Sequence, residues 1–362
     1  MISRVADHCF WVGRYLDRAE STSRLLQVTR TLAFDGDMPL IECWKPLVTV
    51  SGQYPDFLER FDAAAASDSE VVQRYMTWSP ENPVSVRNSI RGARECARSI
   101  REVLSGDIWQ STNQLFLWFT GEEGIRTYGQ DRDAVYRQIR ASTQLCLGLV
   151  RSTMLHDSPM DFLWLGVLLE RVGQTARILD MHHHMLVGTS EGQHQILQTA
   201  LWLSLLRACS GFEAFMRRYQ GRVTRKAVVS FLLLEPAFPR SLRYCARSAL
   251  QVMRRIWPDD DTGVARPAIR RMAELDRWLG DYQEDSLPAS IHGLLTHVVD
   301  EMSQVCGEVQ AGLTGQTPKA QTQTQTQSQT QSQTQGPKGE AGRANGGAGA
   351  AAPARRKVEG SQ

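Results

Sequence analysis

The sequence predicts an all-helical fold made of two tandem copies of one helical unit, and three observations carry the prediction. Apolar residues recur at alternating steps of three and four. Alternating strand patterns are scarce, and a long motif from the first thirty residues returns in the second half of the 362-residue chain.

The first segment sets the pattern. Val5, Cys9, Val12, Leu16, Ala19, Ser23 and Leu26 draw a single buried stripe along an amphipathic helix. Val86, Ile90, Ala93, Ala97, Ile100 and Leu104 repeat it after Asn82-Pro83, a pair that marks a helix start. Ser158-Pro159-x-Asp161 reads as an N-cap, a proline at the first helical position and an acidic third residue, just ahead of FLWLGVLLERVGQTARIL. The one run with a strand-like look is VVSFLLLEP near Val228, and its Pro-bounded setting between helical stretches makes it a helix end. From Thr317 the composition turns to Gln, Thr and Ser and then to Gly, Ala, Pro and basic residues. Such a segment has too little apolar surface to offset the entropy of ordering, so a disordered tail is expected there.

The repeat fixes the organisation. Phe10-Trp11-Val12-Gly13-Arg14-Tyr15-Leu16-Asp17-Arg18 aligns with Leu163-Trp164-Leu165-Gly166-Val167-Leu168-Leu169-Glu170-Arg171 at an offset of 153. Thr22, Arg24 and Leu26 continue into Thr175, Arg177 and Leu179. Trp44 and Leu47 pair with Trp202 and Leu205, and FLERF at Phe57 with FMRRY at Phe215. Pro80, Pro83, Ser85 and Arg87 pair with Pro236, Pro239, Ser241 and Arg243. The expected organisation is a first unit over residues 1–150, a second over 151–312 and a tail over 313–362. The two units are most simply related by a pseudo-two-fold axis and packed as one body.

Composition bounds the function. The tail from Gln316 holds six Lys or Arg against two Glu, so a net charge of +2 for the whole chain leaves the remainder near −2. A near-neutral body argues against a general nucleic-acid binder. The seven cysteines are scattered without any C-x-x-C spacing, which fits reduced thiols rather than a disulfide framework or zinc site. The N-terminal sequence lacks a signal-peptide apolar segment, and apolar runs such as 162–169 are too short to span a bilayer. A cytoplasmic location is expected.

Two constellations are candidates for chemistry. The acidic-Arg pairs Asp17-Arg18 and Glu170-Arg171 each follow a glycine one turn earlier, Gly13 or Gly166, where another helix or a ligand can come close. Asp17 shares a face with Glu20 and Arg24, and Glu170 with Gly173 and Arg177. These pairs read either as an ion-pair network that sets the register of the units or as a polar pocket, with Asp17 and Glu170 as acid and base. The second constellation is an arginine ladder, Arg87, Arg91, Arg94, Arg98 and Arg101, with Glu95 as acidic neighbour and Arg243, Arg247 and Arg254 as its second-half counterpart. It reads as a solvated face, as a set of partners for the acidic-Arg helices, or as a surface for an anionic ligand such as a carboxylate or for an acidic peptide, since guanidinium groups bind oxyanions bidentately. His182-His183-His184 spreads around a helix and does not converge on one ion, and Glu191-x-x-His194 is a lone half of a di-metal motif. Neither a metal nor a cofactor is expected. Cys96 lies between Arg94 and Arg98, which would lower its pKa if it were exposed, but a core thiol is the simpler reading.

These same residues resemble the bacterial alpha-E family, an all-helical domain with a recurrent Glu-Arg motif, over roughly residues 1–312. SRVADHCFWVGRYLDRAEST resembles its first signature, with Asp17 where the family usually has Glu. NPVSVRNSIRGARECARSIREVLSGDIWQSTN resembles its second, with Cys96 for a usual Asn and Asp107 for a usual Glu. FLLLEPAFPRSLRYC and FLWLGVLLERVGQTAR resemble the second-half signatures. The resemblance implies no established activity. It implies occurrence beside, or fused to, a circularly permuted ATP-grasp ligase, with transglutaminase-like and proteasome-like proteins nearby. The expectation is therefore an accessory protein in peptide or amide-bond formation. Its ligand or partner residues would come from Arg18, Arg24, Arg91, Arg94, Glu95, Arg98, Arg101, Trp109, Asn113, Arg171, Arg177, Ser241 and Arg243. An enzyme using Asp17 and Glu170, or a plain anion-binding module, is the alternative.

Overall fold

The computed structural model describes residues 3–35, 40–186, 194–258, 263, 265–288 and 290–314, without the side chains of 35–42, 182–197 and 314. Met1–Pro318 forms one compact unit, and the sequence expected from Thr317 to be a tail lies outside the described residues. The described residues contain helices and no strand. In chain order the helices are α1 (Ser3–Asp35), α2 (Leu40–Val50), α3 (Tyr54–Leu58), α4 (Ser69–Trp78), α5 (Val86–Ser99), α6 (Gly106–Thr120), α7 (Glu122–Gln130) and α8 (Arg132–Thr153). There follow α9 (Ser158–Leu186), α10 (His194–Ala208), α11 (Phe212–Tyr219), α12 (Arg225–Leu234), α13 (Leu242–Ile256), α14 (Arg266–Asp281) and α15 (His292–Thr314).

The buried stripes decide which faces meet. Every residue of the Val5 to Leu26 stripe is buried, as is every residue of the Val86 to Leu104 stripe. The stripe of α1 packs on α5 and α8, α6 bridges those two, and the four helices close a ring. The other long helix, α9, packs on α13 and α15 with α14 between them, in a second ring of the same order. The two rings share the α1–α9 interface, the most extensive in the molecule. Of the intervening short helices, α2 lies against α9 and α10 against α1.

Helix starts are set by side chains that satisfy otherwise orphaned N–H groups. Ser85 accepts from the Asn88 amide, Ser105 from Ile108, Asp131 from Ala134, Thr224 from Ala227 and Ser241 from Tyr244. Two expected boundaries shift. Asn82 does not open α5: its buried side chain accepts from the Val84 amide and donates to the Tyr75 carbonyl, bracing the loop ahead of the Ser85 cap. Ser158 is already helical, with the Asp161 amide donating to the Asp157 carbonyl. Asp161 pairs instead with Arg255, 2.6 Å away. The strand-like run forms α12 and ends before Glu235, so it is a helix end as expected. No described helix is long and apolar enough to cross a membrane.

Candidate functional site

The site grows from the contact of α1 with α9. At Gly13 an added Cβ would collide with the Leu163 carbonyl oxygen and lie 3.0 Å from its carbon and 3.1 Å from the Val167 nitrogen. Gly166 stands in the reciprocal position: its Cβ would collide with the Phe10 carbonyl oxygen, 3.0 Å from its carbon and 3.2 Å from the Arg14 nitrogen. Both obstacles are backbone, so the two helices touch main chain to main chain, and only glycine permits the approach. The contacts continue from Phe10 and Gly13 towards Arg18 as they advance from Leu163 and Gly166 towards Arg171, so α1 and α9 run in the same direction.

One turn beyond the glycines the acidic-Arg pairs exchange partners. Arg18 donates through Nε and Nη2 to the two oxygens of Glu170, at 2.7 and 2.8 Å, in a bidentate pair. Arg14 adds a bond of 2.9 Å to Glu170 Oε2, and Gln174 one of 3.1 Å to Oε1. In the other direction Arg171 donates to Asp17 Oδ1 at 2.9 Å. Each carboxylate of one motif is thus held by the arginine of the other. Asp17 is fully buried and Glu170 is 3% exposed. Burial alone raises the Glu170 carboxyl, but Arg18 and Arg14 outweigh it and hold the group well below the usual carboxylate range. Arg14 stacks on Trp11, 5.1 Å from the ring centre, and Arg171 on Trp164, at 5.6 Å.

The surroundings of the two carboxylates differ. Beside Asp17, Arg240 approaches to 3.6 Å while donating to Glu20 at 2.8 Å and to Ser21 Oγ at 3.3 Å. Glu20 also pairs with Arg24 one turn on, and accepts from Gln144 at 3.2 Å. Beside Glu170, the position that matches Glu20 is Gly173, and the Arg177 guanidinium occupies the space over it, 3.0 Å from where a Cβ would be. Burial and the charges of Arg18 and Arg14 lower the pKa of Arg177, against a raising pull from Glu170. Arg14, Arg18, Gln174 and Arg177 line a cavity of about 80 Å³ with Glu170, closed on its other side by Leu47, Met76 and Val84. Arg14, Glu20, Gln174 and Arg240 are the residues of this centre that sequence reasoning left off the candidate list. Arg240 lies in the FPRSL signature at the place of Val84, and that exchange of an apolar for a basic residue was the available signal.

The second signature assembles elsewhere, on the face formed by α5 and α6. Arg94 donates to Asn113 Oδ1 at 2.8 Å and to Glu95 at 2.7 Å, and lies 4.6 Å from the Phe116 ring centre. Arg98 reaches the other Glu95 oxygen at 2.6 Å, and Arg101 stacks over Trp109 at 5.2 Å. The guanidinium side chains of Arg91, Arg98 and Arg101 belong to exposed residues. Ser241 is fully buried and spends its hydroxyl on the α13 cap and the Glu235 carbonyl at 2.6 Å. Arg243 lies against Gly280 with a buried Nε that has no acceptor. The Cys96 thiol is not activated by its arginine neighbours: burial, with Asp7 and Glu95, pushes it up to about 12. The side chains of His182, His183, His184, Glu191 and His194 lie outside the described residues, among which no group of three metal-ligating side chains converges.

Comparison with known proteins places this architecture. An uncharacterised protein of Mycobacterium bovis and another of Mycobacterium tuberculosis are each 28% identical over 256 residues, which is 67% of this chain. This chain spans only 28% of the length of those relatives. No solved structure matches it. The family model that matches residues 1–312 describes an alpha-helical domain with a conserved ER motif, and the chain belongs to this Alpha-E family.

Proposed function

We propose that this protein is a cytoplasmic accessory subunit in peptide or amide-bond formation, working beside a circularly permuted ATP-grasp ligase and, further, a transglutaminase-like protein. The observation that carries the reading is the division of labour among its arginines. Those of the acidic-Arg motifs are consumed in joining α1 to α9, whereas Arg91, Arg98 and Arg101 stand exposed along one edge of α5 and its C-terminal end. A rigid, helical, guanidinium-bearing face suits an acidic surface or a substrate carboxylate. The relatives add support, because there the matching segment is joined in one chain to a much longer sequence.

Tandem duplication is part of the same reading. It is supported by the two four-helix rings of equal order, by the reciprocal glycine contacts and by the caps Ser85 and Ser241 at matching positions. The competing reading, with Asp17 and Glu170 as acid and base, meets a chemical obstacle. Glu170 accepts from two arginines and a glutamine and is held as a carboxylate, so it has no proton to give near neutral pH.

The test is co-purification with the ATP-grasp ligase encoded nearest to this chain. Co-elution is expected, with loss on the combined change Arg91→Glu, Arg98→Glu and Arg101→Glu. Failure of the wild-type pair to co-elute, together with a ligase that works equally well alone, would refute the proposal.

A further inference from the structure

A second cavity, of about 490 Å³, lies between α1, α8, α10 and the start of α11. Its size is that of a small-molecule site. Three arginines from three helices line it: Arg24 of α1, Arg140 of α8 and Arg207 of α10, together with the half-buried Ser210 and the exposed Glu213.

Several polar atoms of the residues around this space lack partners. Arg24 is only 4% exposed, and its Nε is buried without an acceptor. Arg140 donates from Nη1 to Gln27 at 2.7 Å, a neutral partner, and its buried Nε has no acceptor either. The Ser210 hydroxyl is a third buried group without a partner. A buried donor without an acceptor costs about 1–3 kcal/mol, so a partner for any of these groups would be stabilising.

The charges have the same sense. The nearby carboxylates are already spoken for: Asp17 by Arg171 and Arg240, and Glu20 by Arg24 and Arg240. Burial, Arg240 and Arg140 bring the Arg24 guanidinium down to about 9, and burial, Arg240 and Arg137 lower Arg140. Positive charge is thus crowded into a partly dry space with unfilled hydrogen-bond positions. Arg207, stacked on Phe212 at 5.0 Å, stands exposed where a ligand would enter.

We propose that this cavity binds a small organic anion by its oxyanion head, a phosphoryl or carboxylate group, held by Arg24, Arg140 and Ser210 and covered by Arg207. A rotation of these side chains towards the cavity lets an oxyanion supply acceptors for the orphaned donors, and guanidinium pairs favour a group with several oxygens. The exposed Glu213 disfavours a ligand that is anionic along its whole length, so the body of the molecule beyond the head should be neutral or basic. This site is distinct from the α5 face and does not depend on a ligase partner.

The test uses the full chain alone, with inorganic phosphate and acetate as probes against sodium chloride of matched ionic strength. Thermal unfolding and titration calorimetry are the readouts. Either probe should raise the Tm in a saturable way, since a ligand that binds only the folded state stabilises it. Phosphate acting more strongly assigns a phosphoryl head, and acetate acting more strongly a carboxylate head. Arg140→Gln and Ser210→Ala should each weaken binding at least tenfold. Arg140 and Ser210 are only partly buried, and retained helicity by circular dichroism confirms that each variant folds. The proposal is overturned if neither probe shifts the wild-type Tm beyond chloride, or if both variants respond as the wild type does.

Discussion

Replacing Gly13 by alanine tests the central contact most directly. In an ordinary helix the change is favourable by about 1 kcal/mol, because alanine has the better helix propensity. Here the new methyl group meets the Leu163 carbonyl oxygen, with the Leu163 carbon at 3.0 Å and the Val167 nitrogen at 3.1 Å, all of them backbone that cannot rotate away. A carbon–oxygen contact relaxes only at about 3.3 Å or more, so α1 and α9 must part by roughly 1 Å. A gap of that size forfeits about a quarter to a half of each dispersion contact along the seam. It also stretches the Arg18–Glu170 and Arg171–Asp17 pairs one turn away. Overpacking of this kind sits at or above the upper end of its usual range, about 3–4 kcal/mol. Subtracting the propensity gain leaves a net loss of about 2–3 kcal/mol. The comparison variant is Gly148→Ala in α8, where nothing lies within 4 Å of the added Cβ, and a gain of about 0.5–1 kcal/mol is expected. Urea unfolding followed by far-ultraviolet circular dichroism measures both. If Gly13→Ala is as stable as the wild type, or follows Gly148→Ala upward, the backbone-on-backbone contact is not what joins the helices.

Other perturbations follow from the same geometry. Gly13→Ala with Gly166→Ala should cost less than the sum of the two, since either one already separates the helices, and a double-mutant cycle reads the difference. Glu170→Gln leaves Arg14 and Arg18 without their carboxylate and should cost about 3–5 kcal/mol in the same urea assay. The Glu170 carboxyl is lowered on folding, so its contribution is fully present above the unfolded value near 4.5 and is lost as pH falls through the lower folded value. The wild type should therefore lose stability more steeply below about pH 4.5 than Glu170→Gln does, and equal acid limbs would refute the pairing. Burial pushes the thiols of Cys9, Cys96, Cys209 and Cys245 up to about 12 and that of Cys146 up to about 11, so an aromatic disulfide reagent at pH 8 should modify none of these five quickly before urea is added. Fast modification of Cys96 in the folded protein would show that it is exposed and ionised.

Much of the fold was legible in the sequence because burial writes a period into it. The stripes at Val5 and Val86 mark faces that are now seen buried, and the spacing of Gly13 and Gly166 before the acidic-Arg pairs marked a close approach. Local signals located the boundaries less well: Asn82-Pro83 braces a loop while Ser85 supplies the cap, a choice that depends on which side chain points inward. The second signature was legible as a ladder, but the role of Glu95 in holding Arg94 and Arg98 together needed side-chain positions.

Sequence alone determined the all-helical class, the buried faces of α1 and α5 and the acidic-Arg pairs near the centre, because these depend on periodicity and on short spacings within one helix. It left open whether Asp17 and Glu170 served as a pair of their own or as partners of other residues, since that depends on which helices cross and in which direction. The tertiary structure decided it: with α1 and α9 parallel and touching at the glycines, the nearest group to each carboxylate is the arginine of the opposite motif. It also decided the difference between the two centres. Arg240 arrives from the loop before α13 to fill the space beside Asp17, while Val84 at the matching place leaves a cavity beside Glu170. Contacts between residues more than two hundred positions apart in the chain leave no periodicity to read.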